Sequence, residues 1–309
     1  MRWFETPNFD FIKAQKMMYV VSGLLFVGSI VAVLTMGLNY GIDFRGGKEY
    51  VFDFENDVDV VEIRAELTEV LDAPPELKLF GSQSDILVRT DAEGDIGDVQ
   101  NLILSAFSEL YPNNPVTVIK TDVVGPRFAE DLKVAAMNSI LFAVAVIFIY
   151  ILIRFKGWYF SAGAVAALIH DVVIVLGIFT IIEPLVNFNV TIDQALIAAF
   201  LTIVGYSLND TVVVFDRIRE NSLIYKTMEF RDMINKSLND TLSRTVITSV
   251  TTLFVVSVLF IFGGEVLKGF AFALVIGVIL GTYSSLFVAS SFVVELQKRA
   301  MQAKAKAKS

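Results

Sequence analysis

Six long apolar stretches determine what this chain can fold into. A helix of about 20 apolar residues crosses the hydrocarbon core of a bilayer, and such a run is typical of a membrane span. The sequence therefore predicts a polytopic α-helical membrane protein with six transmembrane helices, the first at 17–38 and the other five within 134–293. The six stretches are 17–38, 134–153, 161–182, 195–215, 246–262 and 270–293.

The composition fits this class of protein. The chain is 55% hydrophobic, contains 26 phenylalanines and has no cysteine, so disulfide and thiolate chemistry are excluded. The first stretch is longer than the apolar part of a signal peptide, and no Ala-x-Ala cleavage site follows it. It is therefore predicted to remain as an anchor.

Basic residues predict the orientation of the spans, because Lys and Arg are enriched in cytoplasmic segments. They cluster in the amino-terminal segment 1–16, in the 216–245 segment and in the 294–309 tail, whereas the 183–193 segment has none. This pattern predicts cytoplasmic termini, a cytoplasmic loop at 216–245 and a basic cytoplasmic tail. The large insertion at 39–133 then faces outward.

The outward insertion is predicted to be a small α+β domain. It holds 20 acidic and 8 basic residues, a balance that argues against nucleic acid as a partner. Alternating and helical apolar spacings give the order β-α-β-β-α-β, which is the ferredoxin-like plan of a periplasmic domain. The predicted elements are strand 48–55, helix 58–71, strands 76–80 and 85–90, helix 96–110 and strand 116–124.

Two glycine-marked joints flank this domain. Glycine permits backbone conformations that other residues avoid, and proline fixes one backbone angle. The joints are either plain turns or hinges that pass motion between the membrane part and the outer domain, and the residues leave both readings open. The first joint comprises Gly41, Asp43, Phe44, Arg45, Gly46 and Gly47, and the second comprises Gly125 and Pro126.

Ionisable and polar residues interrupt the apolar spans. A charged group in the membrane is costly and is retained when it is paired or when it moves ions or protons. Asp210 lies near the cytoplasmic end of the fourth span, and Arg244 enters the fifth from the same side, within possible reach of that carboxylate. The alternatives are a static ion pair and a proton or cation relay. The candidate relay residues are Asp210, Arg244, Asn209, Ser207, Thr248, His170 and Asp171.

Small residues recur at every fourth position of the sixth span. They are Ala273, Gly277, Gly281 and Ser285. Such a stripe lets another helix approach closely. It favours packing inside one bundle, with an interface to a second membrane subunit as the alternative.

Four blocks of sequence resemble the signature blocks of SecF, a family of bacterial Sec protein-export subunits. They are 41–47, 124–126, 205–220 and 238–245. The resemblance implies an inner-membrane protein that works with SecD, the SecYEG channel, YajC and the translocating polypeptide in the lipid bilayer. It also implies that H⁺ or Na⁺ flow, not ATP, drives release of the polypeptide at the periplasmic side, with Asp210 and Arg244 as the coupling residues.

Other functions fit the residues less well. An intramembrane protease with Ser207 as nucleophile and His170 as base lacks a glycine-rich nucleophile turn, and the segment at His170 is not a zinc motif. The expectation is therefore a protein that is not an enzyme, with no metal and no cofactor beyond the transported ion. An exporter of lipids or small molecules similar to the RND transporters, and a passive scaffold of a membrane complex, remain as alternatives.

Overall fold

The computed structural model describes residues 7–72, 74–155, 157–186 and 188–306 and is mainly helical. The remaining residues, including parts of the predicted 1–16 segment and 294–309 tail, lie outside this description. In chain order, the elements are α1 (Phe11–Met36), α2 (Ile42–Arg45), β1 (Gly47–Phe54), α3 (Val60–Val70), β2 (Glu76–Leu79), β3 (Asp85–Thr90), α4 (Ile96–Leu110), β4 (Val116–Val124), α5 (Pro126–Phe155), α6 (Trp158–Ile182), α7 (Gln194–Ile224), α8 (Phe230–Phe262), α9 (Glu265–Ser284) and α10 (Ser290–Lys306).

Six helical segments in the described part of the chain are long and apolar enough to cross a membrane, as predicted. Five of them are α1, α5, α6, α7 and α8. The sixth, Leu267–Ala300, runs through α9, a π-helical turn at Ser285–Ala289 and α10.

The helices extend beyond the apolar stretches that reveal them. Helix α7 continues to Ile224 and α8 begins at Phe230, so the predicted loop at 216–245 is helical over most of its length. Apolar side chains at helical spacing, such as Ile218 and Ile234, are buried between the two extensions. An apolar run stops where a helix gains a polar face, although the helix itself continues. The sequence therefore places the end of α7 too early and the start of α8 too late.

Close contacts through small residues hold the centre of the bundle together. A Cβ at Gly281 would lie 3.0 Å from the Cβ of Ser207 on α7, and one at Gly277 would collide with the side chain of Ile203. The small-residue stripe of the sixth span therefore packs on α7 of the same chain.

After the short helix α2, the insertion between α1 and α5 has the order β-α-β-β-α-β. Its four strands form an antiparallel sheet in the order β2-β3-β1-β4. The side chains of Tyr50, Phe52 and Phe54 on β1 are buried against α3 and α4, with Phe107 in edge contact with both phenylalanines. The core of this domain is thus separate from that of the helix bundle.

Candidate ion-coupling site

Asp171 on α6 is a fully buried carboxylate with three polar neighbours. Its Oδ2 accepts hydrogen bonds from Ser207 on α7, at 2.8 Å, and from Ser284 on α9, at 2.7 Å. Its Oδ1 lies 3.0 Å from Nδ1 of His170. The exposed fraction of Asp171 is 0%. Short bonds from two helices and a neighbouring imidazole hold this carboxylate in one position.

His170 is enclosed by aromatic rings. The imidazole stacks on Phe26 of α1, with 6.4 Å between ring centroids, and on Tyr283 of α9, with 6.2 Å. The hydroxyl of Tyr283 in turn bonds Ser22 and the carbonyl of Met18. His170 Nε2 is buried and has no hydrogen-bond partner among the described residues. The ring therefore links Asp171 to α1.

Asp210 on α7 is held much less firmly. It is 3% exposed, and its two oxygens face Thr248 Oγ1 at 3.5 Å and Ser249 Oγ at 3.4 Å, both on α8. A hydroxyl has one proton to donate, and the Thr248 hydroxyl lies nearer to the carbonyl oxygens of Arg244 and Thr245, at 3.0 and 2.9 Å. The Ser249 hydroxyl lies 2.6 Å from that of Thr282. Both potential donors to Asp210 therefore have shorter alternatives.

The two carboxylates belong to one connected set of polar groups. Thr282 and Ser284 lie two residues apart on α9, and one contacts the Asp210 side through Ser249 while the other contacts Asp171. Ser207, on the helix of Asp210, bonds Asp171. Helices α6, α7, α8 and α9 thus meet through hydroxyls between two buried acids.

Arg244 is not paired with Asp210. Its side chain is exposed, and no ion pair joins it to a carboxylate in the part of the chain that the structure describes. Asp210 lies level with Thr248 and Ser249, one turn further along α8. The guanidinium of Arg244 therefore does not reach salt-bridge distance, although its charge acts on the carboxylate of Asp210. A static Asp210–Arg244 ion pair is therefore absent from this arrangement.

The polar residues of the fourth span lie on two different sides of α7. Asn209 and Thr202 are exposed, whereas Asp210 shares a buried face with Ser207 and Ile203. Sequence reasoning also missed Ser249, Thr282 and Ser284. The signal was available, because each interrupts an apolar run, and Thr282 and Ser284 follow Gly281 of the small-residue stripe.

The outer end of α7 is bonded to the first glycine-marked joint. Asp43 Oδ2 accepts a 2.8 Å hydrogen bond from the backbone N–H of Gln194, the first residue of α7. The N–H of Gly41 donates to the carbonyl of Ile192 at 2.9 Å. Phe44 is buried in the bundle core beside Leu196. The joint is thus anchored on the helix that carries Asp210.

Asp193 caps α7 at the same end. Its carboxylate accepts a 2.7 Å bond from the N–H of Leu196. Burial raises the pKa of Asp193; the bond from Leu196 lowers it and the nearby Asp43 carboxylate raises it. Two acidic groups therefore share the positive end of the α7 dipole.

The two glycine-marked joints lie against each other. Gly46 and Gly47 have φ angles of 78° and 119°, in the region that favours glycine. A Cβ at Gly46 would approach the Cα of Pro126 to 3.1 Å, and one at Gly47 would approach the carbonyl oxygen of Thr90 to 3.1 Å. Entry into the outer domain and exit from it therefore form one compact connection.

Charged groups also tie the outer domain to the membrane part. Buried Arg89 on β3 bonds Glu49 at 2.6 Å and reaches Thr191, just before α7, at 3.1 Å. Lys78 on β2 lies 3.2 Å from the Glu183 carboxylate beyond α6. The sheet face opposite α3 and α4 is thus attached to the outer ends of two spans.

Comparison with known proteins adds to this geometry. Residues 105–299 match the family described as "Protein export membrane protein SecD/SecF, C-terminal", and residues 31–58 match the "SecD/SecF GG Motif". The chain is 55% identical over 300 residues to the protein translocase subunit SecF of Rhodothermus marinus, with 97% of each chain covered.

Two solved structures are also similar. The crystal structure of SecDF from Thermus thermophilus, a translocon-associated membrane protein, matches 96% of this chain at 34% identity and a TM-score of 0.86. SecDF in a super-membrane-facing form matches 99% at 32% identity and a TM-score of 0.72. This chain spans 40% and 41% of those two chains.

The fold and the site define a multi-pass membrane protein with two buried, hydroxyl-linked acids and an inserted α/β domain. The chain belongs to the SecD/SecF family of protein-export membrane proteins. The glycine-marked joint at 41–47 falls within the matched GG motif, and Asp210 and Arg244 fall within the C-terminal match.

Proposed function

We propose that the chain is a SecF-type subunit that couples inward flow of H⁺ or Na⁺ to movement of its outer domain during Sec protein export. Asp210 is the carboxylate that binds and releases the ion, and Asp171 is a fixed acid that holds the helices around it. The protein is a transport subunit and carries out no catalysis.

One observation carries this proposal: the two buried acids are held differently. Asp171 has hydroxyl bonds of 2.7 and 2.8 Å, whereas the hydroxyls facing Asp210 are 3.4 and 3.5 Å away. A carboxylate that accepts short bonds from hydroxyls of two other helices is held in place, and one whose neighbouring hydroxyls lie further away exchanges its cation at lower cost. Moving one charge through 100 mV releases about 2.3 kcal/mol, enough to bias a conformational equilibrium of the helices.

Helix α7 is the proposed connection to the outside. Asp210 lies 16 residues after Gln194, or about 24 Å along the helix axis at 1.5 Å per residue. At the far end, α7 is bonded to Asp43 and lies next to Thr191, the contact of Arg89. A shift of α7 against α8 when Asp210 changes its charge would therefore move both attachments of the outer domain.

The topology proposed for this function places the outer domain in the periplasm and both termini in the cytoplasm, in the bacterial inner membrane. The antiparallel order β2-β3-β1-β4 supports a ferredoxin-like domain. Two similar solved structures at nearly equal identity have TM-scores of 0.86 and 0.72. Sequence divergence does not account for this difference in TM-score, because the two identities are nearly equal. The difference therefore supports a fold whose parts rearrange.

The proposed partners follow from polar groups that the chain leaves uncovered. Arg244, Asn209 and Thr202 are exposed although they lie in apolar spans. Ionisable groups in a membrane face a protein interior or a water-filled cavity, not lipid. A SecD-type subunit covering this face, in a complex with SecYEG and YajC, satisfies the requirement and places Arg244 at an ion path between the subunits.

The proposal is tested by Asp210→Asn in membrane vesicles that contain the complete export complex. We expect normal assembly with the SecD-type subunit and loss of export that depends on the ion gradient. A matched variant combines Asp210→Asn with Asn209→Asp, which places a carboxyl one residue away. We do not expect this carboxyl to restore the function lost in Asp210→Asn. Full gradient-driven export by assembled Asp210→Asn would reject ion coupling and leave a scaffold.

A further inference from the structure

A basic groove lies between the start of α1, the start of α8 and the end of the sixth span, far from the two acids. Its volume is about 790 Å³. Four cationic side chains from three helices line it: Lys13, Lys16, Arg231 and Lys298. Two carboxylates, Glu229 and Glu295, also line it, so the groove carries a net positive charge.

Among the described residues, the cations that line the groove outnumber its carboxylates. Glu295 is engaged by Arg299 at 2.7 Å. Within the described ranges, none of the four cations forms an ion pair with a carboxylate. Arg231 donates from Nη2 to the carbonyl of Ile12 at 3.2 Å, which directs the guanidinium across the groove and leaves its other N–H groups available.

The groove lies at the depth where lipid headgroups are found. Lys16 directly precedes the first apolar stretch, and Lys298 follows the last by five residues. The lining continues from these cations to Tyr19 and Val294, which belong to the spans. A tyrosine at this position is typical of the membrane–water boundary. A molecule that fills the groove therefore meets cations at one end and apolar surface at the other.

We infer that this groove binds the headgroup of an anionic phospholipid. Its phosphate accepts charge-assisted hydrogen bonds from Arg231 and the lysines, and its acyl chains continue along Tyr19 and Val294. Basic pockets between transmembrane helices recognise such headgroups, and each nearby Lys or Arg strengthens attraction to an anionic membrane. The inference concerns a surface that plays no part in the proposed ion path.

The test compares two double variants of the full-length protein that each remove two positive charges. Lys16→Gln with Lys298→Gln removes charge inside the groove. Arg219→Gln with Lys226→Gln removes the same charge from two exposed residues outside the groove, one in the last turns of α7 and one in the α7–α8 connection. Native mass spectrometry in detergent measures retention of added phosphatidylglycerol, with phosphatidylcholine as the neutral lipid. Thermal unfolding checks that both variants fold.

We expect the groove variant to bind phosphatidylglycerol about tenfold more weakly than the unaltered protein, and the control variant to bind it within about twofold. Binding of phosphatidylcholine should not change. Equal weakening in both variants would show a general charge effect and overturn the site, as would unchanged binding in the groove variant. Displacement of the lipid by millimolar inorganic phosphate would assign the groove to free phosphate instead.

Discussion

The hydroxyl of Ser207 donates to the carboxylate of Asp171, at 2.8 Å, although Asp210 lies only three residues further along its own helix. One face of α7 therefore carries Asp210 and also, through Ser207, makes a strong bond to Asp171. The two acids are thus connected through a single helix.

Removing a donor to Asp171 should therefore cost more stability than removing one near Asp210. Ser284→Ala deletes a 2.7 Å bond to a buried carboxyl oxygen, a loss of about 1–3 kcal/mol in the free energy of unfolding. Thr248→Val is the matched control, because it removes a hydroxyl that lies 3.5 Å from Asp210 and otherwise donates only to carbonyls of its own helix, and about 1 kcal/mol or less is expected. Chemical unfolding in detergent measures both. Equal losses would mean that the two acids are held alike.

Much of this architecture could be predicted from the sequence, because lipid imposes a pattern that does not depend on tertiary contacts. The six spans and the position of Asp210 follow from apolar runs and one costly charge. The partner of Ser207 does not follow. Helical spacing tells which residues share a face, but the neighbour on that face depends on how four helices pack.

The expected contact between Arg244 and Asp210 illustrates the same limit. The sequence places Asp210 near the cytoplasmic end of the fourth span and Arg244 at the start of the fifth, and the contact then depends on the reach of a long side chain. In the structure the carboxylate lies beside Thr248, one turn from Arg244. Spacing along each helix does not fix the relative level of two packed helices.

The cap of α7 should make stability depend on pH. Burial raises the pKa of Asp193 above its value in the unfolded chain, so the folded protein binds the proton more tightly. This contribution to stability is fully present below the unfolded pKa, about 3.9, and is lost as the pH rises through the higher folded value. Asp193→Asn keeps a capping oxygen without the charge, and we expect unfolding measured from pH 4 to 7 to show a flatter dependence.

Asp193→Ala separates the cap from the charge. It also removes the titrating group, but it loses the 2.7 Å bond to Leu196, at a cost of about 1 kcal/mol. The free energy of unfolding should therefore depend less on pH in both variants, and it should be lowered only in the alanine variant. An unchanged pH profile in Asp193→Asn would assign the titration to other groups.

Arg89 should contribute more to the stability of the outer domain than the neighbouring Lys120 does, and only Arg89 also bonds Thr191 outside the domain. Arg89→Met leaves buried Glu49 with only Lys120, 3.0 Å away, and should destabilise the domain by about 3 kcal/mol, the lower end for a broken buried pair. Lys120→Met removes a more exposed cation from the same carboxylate, and about 1 kcal/mol or less is expected.

Hydrogen exchange separates the local from the domain-wide effect of these substitutions. Loss of Arg89 should speed exchange in β3 and also in the 189–194 segment, because Arg89 bonds Thr191. Loss of Lys120 should leave the 189–194 segment unchanged. Similar exchange there in both variants would contradict a role for Arg89 in attaching the domain to α7.

The two glycine-marked joints offer a direct comparison between a required turn and a hinge. Gly46 has φ 78° and ψ 172°, a conformation that is accessible almost only to glycine, and a Cβ there would meet Pro126. Gly46→Ala should therefore lower the free energy of unfolding by about 1–3 kcal/mol. Gly125 has nothing within 4 Å of an added Cβ and no positive φ, so Gly125→Ala should fold normally. Export by Gly125→Ala then decides the role of the joint: a plain turn predicts full gradient-driven export, and a hinge predicts slower export at unchanged stability, because alanine restricts the backbone angles that the moving connection must adopt.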